Sequence, residues 1–409
     1  MNDITKLIEP RILKGFRDFT AEEVIKRNYL KSKIVEVFEL YGFEPLETPA
    51  IEYLETFTGN IGADENLFFK FEDQGGRSVA LRYDQTVPTC RYVAQNINNL
   101  QLPYKRYQIQ SVWRAEKPQK GRYREFVQCD ADIFGVNGWE ADAEVIALTL
   151  DIYKNLGFKN YIVKINDRAL FKDVPYAVIV AVDKLDKVGE EGVIKEMVGK
   201  GYSSEEATSM LKSILTVKPN ETVTKILSYL KDLGLNENQF VFDPTIARSF
   251  SYSSGPIWEV VIPGFTSGSV LGGERFDNLI GRFINKSIPG TGFGLGFDRT
   301  LEAMEEFKLF PDQKTKTKAL VTVFGRDFLG QSLALVKKLR GAGINTELYS
   351  DSEAKLGKQV KYADKKSIPY TVVLGEEEAQ KGEYMLKNMQ TGQQQSLSLE
   401  SLISSLKNN

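Results

Sequence analysis

A chain of 409 residues with 53 basic and 55 acidic side chains carries a formal net charge of −2. It has no global basic field, and any nucleic acid must be met by local patches in a salt-dependent way. Histidine is absent altogether, which excludes imidazole as general base, nucleophile partner or metal ligand and leaves chemistry done by guanidinium groups, carboxylates and a hard cation on oxygen ligands. At 42% hydrophobic and 26% charged the composition is that of an ordinary globular protein, long enough for two or three separately cored domains. Cys90 and Cys129 stand far apart with no C-x-x-C pair, which argues against a disulfide framework and a structural zinc site. Met1 to Pro10 lacks an apolar core with basic flanks, and the apolar run around Val174 to Val182 falls short of a membrane span. A cytoplasmic protein without a membrane partner is expected.

In chain order, Ala21 to Tyr41 has a helical pattern, with Thr20 as N-cap ahead of Glu22 and Glu23 and apolar residues at Val24, Ile34, Val37 and Phe38. Gly42 ends it, and Phe43 to Thr48 reads as a strand stopping at Pro49. Tyr107 to Arg114 reads as a second strand. The loop Ala115 to Gly121 follows, and then a strand that places Arg122, Arg124, Phe126, Gln128, Asp130 and Asp132 on one face. Forked guanidinium groups suit phosphate oxygens and an aromatic beside them can stack on a purine, so this strand pair can hold ATP and a smaller substrate side by side. The competing reading of such arginines is the solvated face of an edge strand.

Further along, Trp139 to Gly157 predicts an amphipathic helix and Tyr161 to Asn166 a buried strand. Leu170 to Gln239 is helical in pattern and rich in lysine and glutamate, broken at Gly199 to Ser204 and at Pro219, as an inserted helical subdomain would be. Gly292, Gly294 and Gly296 alternate as in a strand with one bare face where a ligand approaches the backbone, and neither G-x-G-x-x-G nor G-x-x-x-x-G-K-[ST] is present. Phe310 to Thr317 reads as a linker. Beyond it, short β-rich runs (Ala319 to Val323, Thr346 to Tyr349, Tyr370 to Leu374) alternate with helical ones, predicting a small α/β domain with a mixed or parallel sheet.

The stretch R-Y-R-E-F-V-Q-C-D-A-D, Arg122 to Asp132, resembles motif 2 of the class II aminoacyl-tRNA synthetases in its histidyl-tRNA synthetase version. Lys14 to Phe19 is close to that family's N-terminal signature, and Leu81 to Pro88 matches its L-R-Y-D-x-T-V-P stretch. The helix, strand and Pro49 resemble motif 1, which in that family builds a dimer interface, so a homodimer is implied. Gly290 to Arg299 resembles motif 3. Ala247 to Gly255 aligns with R-G-L-D-Y-Y-T-G and Gly272 to Asp277 with G-G-G-R-Y-D, while L-G-K-Q-V-K-Y-A-D-K-K-S-I-P-Y resembles part of the anticodon-binding domain.

The resemblance implies an α+β class: an antiparallel sheet flanked by helices in a catalytic domain at 1–317, a helical insertion at about 170–239, and a C-terminal α/β anticodon-binding domain at 318–409. The implied activity is histidine–tRNA ligase, with L-histidine, ATP carrying Mg²⁺, and tRNA(His) as partners and with no resident metal. Arg114, Arg248 and Arg299 are implied as catalytic. Arg114, Glu116, Arg122, Phe126 and Arg299 would bind ATP, and Asp84, Thr86, Gln128, Asp132, Arg248, Tyr252 and Ser253 would bind histidine. For Asp84 and Asp132, pairing with arginines to stabilise the sheet is the other reading.

Ser253 stands where the family has its second tyrosine, and Ser251 where it has aspartate. These departures keep open a wider pocket, another small polar substrate, or a non-catalytic regulatory subunit of histidine biosynthesis. Against the regulator, the chain retains its C-terminal domain together with Arg114, Arg122, Arg248 and Arg299. For tRNA, the C-terminal domain offers Lys355, Lys358, Lys361, Lys365, Lys366 and Arg340, within 13 basic and 10 acidic residues from Lys318 onward, a surplus of 3. A plain solvated face is the alternative there. The absence of histidine fits either a histidine-using enzyme that does not need histidine for its own synthesis or compositional drift.

Overall fold

The computed structural model describes residues 7–59, 66–118, 122–246 and 253–408. Its contacts divide it into two units, Met1–Asp18 with Leu30–Leu309, and Phe19–Tyr29 with Phe310–Asn409.

Helix α1, Ala21–Leu40, begins and ends as its sequence dictates. Thr20 Oγ1 accepts from Glu23 N at 3.4 Å while the Glu23 carboxylate accepts from Thr20 N at 2.7 Å, a reciprocal cap that satisfies two orphan amides. At the other end Gly42 takes φ +73°, and the amides of Gly42 and Phe43 return to the carbonyls of Glu39 and Phe38. That is a Schellman stop, which needs a residue without Cβ at its left-handed position.

The first unit is built on an eight-stranded sheet. Its strands are β1 (Glu44–Pro45), β5 (Tyr104–Trp113), β6 (Glu125–Phe134), β7 (Ile162–Asp167), β8 (Phe240–Phe242), β9 (Pro256–Val261), β10 (Leu271–Arg275) and β11 (Gly290–Gly296), in the spatial order β1-β5-β6-β11-β10-β9-β7-β8. The pairings are antiparallel except at the two edges, where β1 runs parallel to β5 and β8 to β7. The remaining strands, β2 (Ile51–Tyr53), β3 (Lys70–Glu72) and β4 (Ser78–Leu81), form a separate three-stranded sheet that the sequence pattern does not announce. Buried Arg82 ties it to the large sheet, donating to the carbonyls of Ser111 and Thr48 at 2.7 Å each.

Period two gives the large sheet two unlike faces. Tyr107, Cys129, Ala131, Ile133, Phe293, Leu295, Leu271, Trp258, Val260, Val163 and Ile165 are buried on one. They pack beneath α4 (Glu140–Asn155), α9 (Phe297–Glu306) and the Leu30–Leu40 part of α1, where Phe38 stacks on Tyr107 at 4.9 Å. Gly273 exists for Trp258, since a Cβ there would lie 2.1 Å from the indole. The opposite face carries Arg106, Gln108, Gln110, Gln128, Asp130, Asp132 and Glu274, which register as cross-strand neighbours. Both cysteines are free and buried.

Of the expected helical insertion, α5 (Tyr176–Val182), α6 (Leu185–Gly199) and α7 (Ser204–Leu215) share a core of Val178, Val182, Val193, Met197, Leu211 and Ile214. Helix α8, Glu221–Asp232, instead returns to α4, with Tyr229 edge-on to Trp139. The remaining first-unit helices are α2 (Leu54–Phe57) and α3 (Thr86–Asn96).

The second unit holds a mixed sheet in the order β13-β12-β14-β15-β16, from β12 (Ala319–Val321), β13 (Thr346–Leu348), β14 (Tyr370–Val373), β15 (Tyr384–Asn388) and β16 (Gln394–Leu397). The first three are parallel and the last two antiparallel. Helices α10 (Leu329–Gly341), α11 (Leu356–Lys365), α12 (Glu376–Lys381) and α13 (Leu399–Asn408) complete it, over a core including Leu335, Leu339, Val372 and Leu402.

Candidate active site

The polar face of the large sheet floors a cavity of about 400 Å³. Asp84, Thr86, Arg114, Glu116, Arg122, Phe126, Gln128, Asp132 and Arg299 all line it, as do Gly292, Gly294 and Gly296. Of the other residues expected here, Arg248 and Tyr252 lie outside the described residues, as does Ser251. Ser253 lines a separate cavity and bonds Glu274, which lines the first.

One end of the cavity is cationic. Arg114 follows directly on β5. Its guanidinium sits 4.3 Å over the Tyr83 ring and 5.1 Å from the Phe126 ring centroid, with Nε donating to the Tyr83 carbonyl at 3.2 Å. Arg122 pairs with Glu116 at 3.1 Å and precedes β6, which begins only at Glu125. The expected strand is thus shorter than the alternation of Arg122 and Arg124 suggests. Arg124 turns away to donate to the Glu116 carbonyl at 3.0 Å, and its own amide is held by the carbonyl of Gly15. Arg299, on the first turn of α9, donates to the Ser269 carbonyl at 3.0 Å. Burial, reinforced by the like charges of Arg122 and Arg114, lowers its pKa. Three guanidiniums that repel one another across one cavity make a site for a polyanion.

The other end is an acid cluster around one buried cation. Arg106, fully buried, forms an ion pair with Asp132 directly across the β5/β6 ladder. The pairing that sequence reading left as the alternative for Asp132 is therefore present, and Asp132 still lines the cavity. Beside it both carboxyl oxygens of buried Asp130 lack a hydrogen-bond partner, as do Asp84 Oδ2 and Gln128 Oε1. Asp84 Oδ1 accepts from Val87 N at 3.2 Å, capping α3. Burial pushes the carboxyls of Asp84 and Asp132 up to about 6, opposed by Arg106, and drives Asp130 well above the usual carboxylate range.

The alternating glycines have a more specific cause than ligand access alone. A Cβ on Gly292 would meet Asp132 Oδ1 at 1.9 Å and the Ala131 carbonyl at 2.4 Å, and one on Gly294 would meet Gln128 Nε2 at 2.8 Å. The bare face of β11 is where the polar side chains of β6 lie.

Several supporting residues lie in stretches the sequence singled out but were given no role there. Arg17 pairs with Asp298 at 3.0 Å and covers the Tyr123 ring at 3.3 Å, and Asp298 also accepts from Val127 N at 3.2 Å. The N-terminal Lys14 to Phe19 signature thus braces the two stretches that supply Arg122 and Arg299. Gln85 fastens β5 to β6 from below, donating to the carbonyls of Gln110 and Gln128 at 2.9 and 2.8 Å. Asp130 was read only as a member of its strand and motif, and Arg106 fell just ahead of the strand expected at Tyr107 to Arg114; their importance comes from being buried together. Among the described residues no group of His, Cys, Asp or Glu is placed to hold a metal ion, and no helix is long and apolar enough to cross a membrane.

An antiparallel sheet with helices on one face, and on the other a cavity with a cluster of arginines beside buried carboxyl groups, is the arrangement of a class II aminoacyl-tRNA synthetase. A family model described as histidyl-tRNA synthetase matches residues 15–225 and 192–300, and one described as an anticodon binding domain matches 318–409. The histidine–tRNA ligases of Cytophaga hutchinsonii and Christiangramia forsetii are 37% and 40% identical to this chain, over 97% and 98% of it and 99% of each relative. The crystal structure of histidyl-tRNA synthetase from Nostoc sp. PCC 7120 superposes with a TM-score of 0.85 at 26% identity, over 98% of this chain and all of that one. The chain belongs to the histidyl-tRNA synthetase family.

Proposed function

We infer that this enzyme couples L-histidine to ATP, giving histidyl-adenylate and pyrophosphate, and then transfers the histidyl group to the 3′ end of tRNA(His). The observation that carries the reading is the shared cavity: Arg114 and Arg122, from the two sides of one loop, and Arg299, from a distant stretch of chain, face one space whose far end is an under-neutralised acid cluster. The regulatory-subunit alternative is disfavoured by curated ligases that match over nearly their full length and by the matched anticodon-binding model.

The residue roles are those the family resemblance implies, and charge is consistent with them. The histidine carboxylate is already ionised, so attack on the α-phosphorus needs alignment and cations rather than a base. Arg114 bridges carboxylate and α-phosphate. Arg122 and Arg299 take the terminal phosphates, Phe126 stacks on adenine and Glu116 meets its amino group. Arg248, by its motif, adds a further cation near the α-phosphate. Asp84 and Asp132 take the α-ammonium and a ring nitrogen, with Thr86, Gln128 and, by its motif, Tyr252 supplying neutral bonds, while Ser253, which lines a separate cavity, acts through Glu274. Acid oxygens left unpartnered by an analogue lacking these donors would reject it. Magnesium enters on the ATP phosphates, where it offsets their charge, with any protein contribution limited to one or two carboxylates.

In this reading 1–317 is the catalytic domain with its insertion at about 170–239, and 318–409 binds the anticodon. There Lys355, Lys358, Lys361 and Lys365 are exposed on or beside α11. The protein acts in the cytoplasm as a homodimer through its motif 1 segment. Pyrophosphate exchange that depends on histidine, followed by charging of tRNA(His), is the test. Exchange with no amino acid would refute the reading, and exchange with a different one would move the substrate.

A further inference from the structure

Glu274 stands where the motif G-G-G-R-Y-D has its third glycine, and from β10 it lines the active-site cavity. It is only 5% exposed. A buried carboxyl is costly unless donors reach it, so one placed where the motif has no side chain must be met by donors. The arginine beside it is committed elsewhere, since Arg275 pairs with Asp142 on α4 at 2.9 Å. Ser253 is one donor: its hydroxyl bonds Glu274 Oε2. Ser253 itself stands where the family has its second tyrosine, so two departures from the motifs touch, a phenol lost at one position and a carboxyl gained at the other. A carboxylate accepts up to about four hydrogen bonds, and holding Ser253 does not stop it from accepting from a ligand.

Strand register fixes what Glu274 faces. It pairs with Gly292 on β11, and Gly292 pairs in turn with Asp132 on β6, so the three form one cross-strand row on the polar face of the sheet. The glycine puts no side chain between the two acids. Asp132 leans into the gap, where a Cβ on Gly292 would lie 1.9 Å from its Oδ1. Asp84 is close as well, because the negative charge of Glu274 adds to the burial that chiefly raises the Asp84 pKa. Asp84, Asp132 and Glu274 all line this cavity, and Asp132 is already paired with Arg106.

Histidine offers such a wall an α-ammonium and two ring nitrogens, one more group than Asp84 and Asp132 can take singly. We propose that Glu274 accepts the ring N–H of the substrate histidine and so helps to set the choice of amino acid, with Asp132 on the other ring nitrogen and Asp84 on the α-ammonium. Ser253 is then a positioning residue that holds the Glu274 carboxylate from behind. An amino acid of similar shape without a ring N–H leaves this buried acceptor unmet and is rejected on that account. The proposal rests on the ligase reading above and adds to it a recognition group at a position where the family motif has glycine.

Histidine-dependent pyrophosphate exchange by the full chain tests it, with thiazol-4-ylalanine, whose ring has nearly the same size but no N–H, as a competitive inhibitor. Glu274→Gln keeps the shape and replaces a charged acceptor with a neutral one. It is expected to raise KM for histidine about tenfold, to leave KM for ATP unchanged and to leave the inhibition constant of the thiazole analogue within about twofold. Preference for histidine over the analogue therefore shrinks about tenfold. Ser253→Ala, which spares the carboxyl and removes only the hydroxyl behind it, shifts the same preference in the same direction by a smaller factor, and serves if Glu274→Gln does not fold. An unchanged KM for histidine in both variants would overturn the proposal. So would histidine and the analogue weakening in step, which is the result for a structural prop or for a carboxylate that meets the α-ammonium common to both. Failure of the unaltered protein to exchange at all is a different result, and sinks the ligase reading itself.

Discussion

At one end of the active-site cavity Arg114 and Arg122, from one hairpin, meet Arg299 from a distant stretch of chain, each held by a carbonyl, a ring or a single carboxylate. At the other end Asp84, Asp130 and Asp132 crowd around one guanidinium, that of Arg106. The cations remain partly solvated and keep their charge at any working pH. The carboxyls are buried, and their charge is conditional. A site left with surplus positive charge at one end and under-compensated acid at the other is complementary to a triphosphate joined to an ammonium-bearing amino acid. The two ends should therefore fail in different ways when altered.

The largest effect belongs to the cationic end. Arg114→Ala or Arg299→Ala is expected to lower the rate of histidine-dependent pyrophosphate exchange by about 10²- to 10³-fold or more, the usual scale for a preorganised charge aimed at the transition state. Circular dichroism and thermal melting should stay close to those of the unaltered protein. A variant within a few-fold of normal exchange would remove that arginine from the chemistry.

At the acid end, Asp84→Asn keeps the shape and removes the charge. It should raise KM for histidine by about 10- to 100-fold, the worth of a charged hydrogen bond, and leave KM for ATP nearly untouched. An equal rise in both constants would show that the ends are not separable.

Asp132→Asn probes the fold as well as binding, because it leaves Arg106 buried without its ion-pair partner. Denaturant titration should report a loss of about 3 kcal/mol. Unchanged stability would show that Arg106 is neutralised by another group, with Asp130 the nearest choice.

The smallest and most diagnostic effect is with pH. Asp84 and Asp132 rise from 3.8 to about 6 in the folded chain. Between those values the folded state binds more protons than the unfolded one, so these groups make the ligand-free protein less stable as pH rises from about 4 to 6, after which their contribution is level. Histidine binding runs the other way, since the α-ammonium needs ionised carboxylates. KM for histidine should climb on acidification through pH 6 while KM for ATP stays flat, and Asp84→Asn should flatten the histidine profile. A profile identical in the variant would assign the titration elsewhere.

Much of the site could be read along the chain because β-strand alternation places every second residue on one face. Gln128, Asp130 and Asp132 are cofacial by that rule, and their partners on β11 had to be small. The end of α1 at Gly42 is equally local, since the left-handed stop needs no distant contact. The three-stranded sheet of β2, β3 and β4 escaped notice because its strands are three or four residues long and show too few alternations to register. Strands β15 and β16 were missed for a related cause: they are only five and four residues long, and β16, at the sheet edge, is the polar run Gln394–Leu397 with little hydrophobic rhythm. Arg17, nearly the length of the catalytic region from its partner Asp298 in sequence, gives no local cue to that pairing.

Residue order and type therefore determined the strand and helix periods, the helix caps, the positions that could carry phosphate-binding cations and the exclusion of histidine chemistry. Tertiary structure alone decided that Arg106 would be buried against Asp132, that the carboxyl oxygens of Asp130 would lack a hydrogen-bond partner, and that Ser253 would open on a second cavity rather than the first. Spacing along a chain specifies which face a side chain occupies. Desolvation and pairing depend on what long-range folding brings against that face, and in this protein those two quantities set the charge of the site.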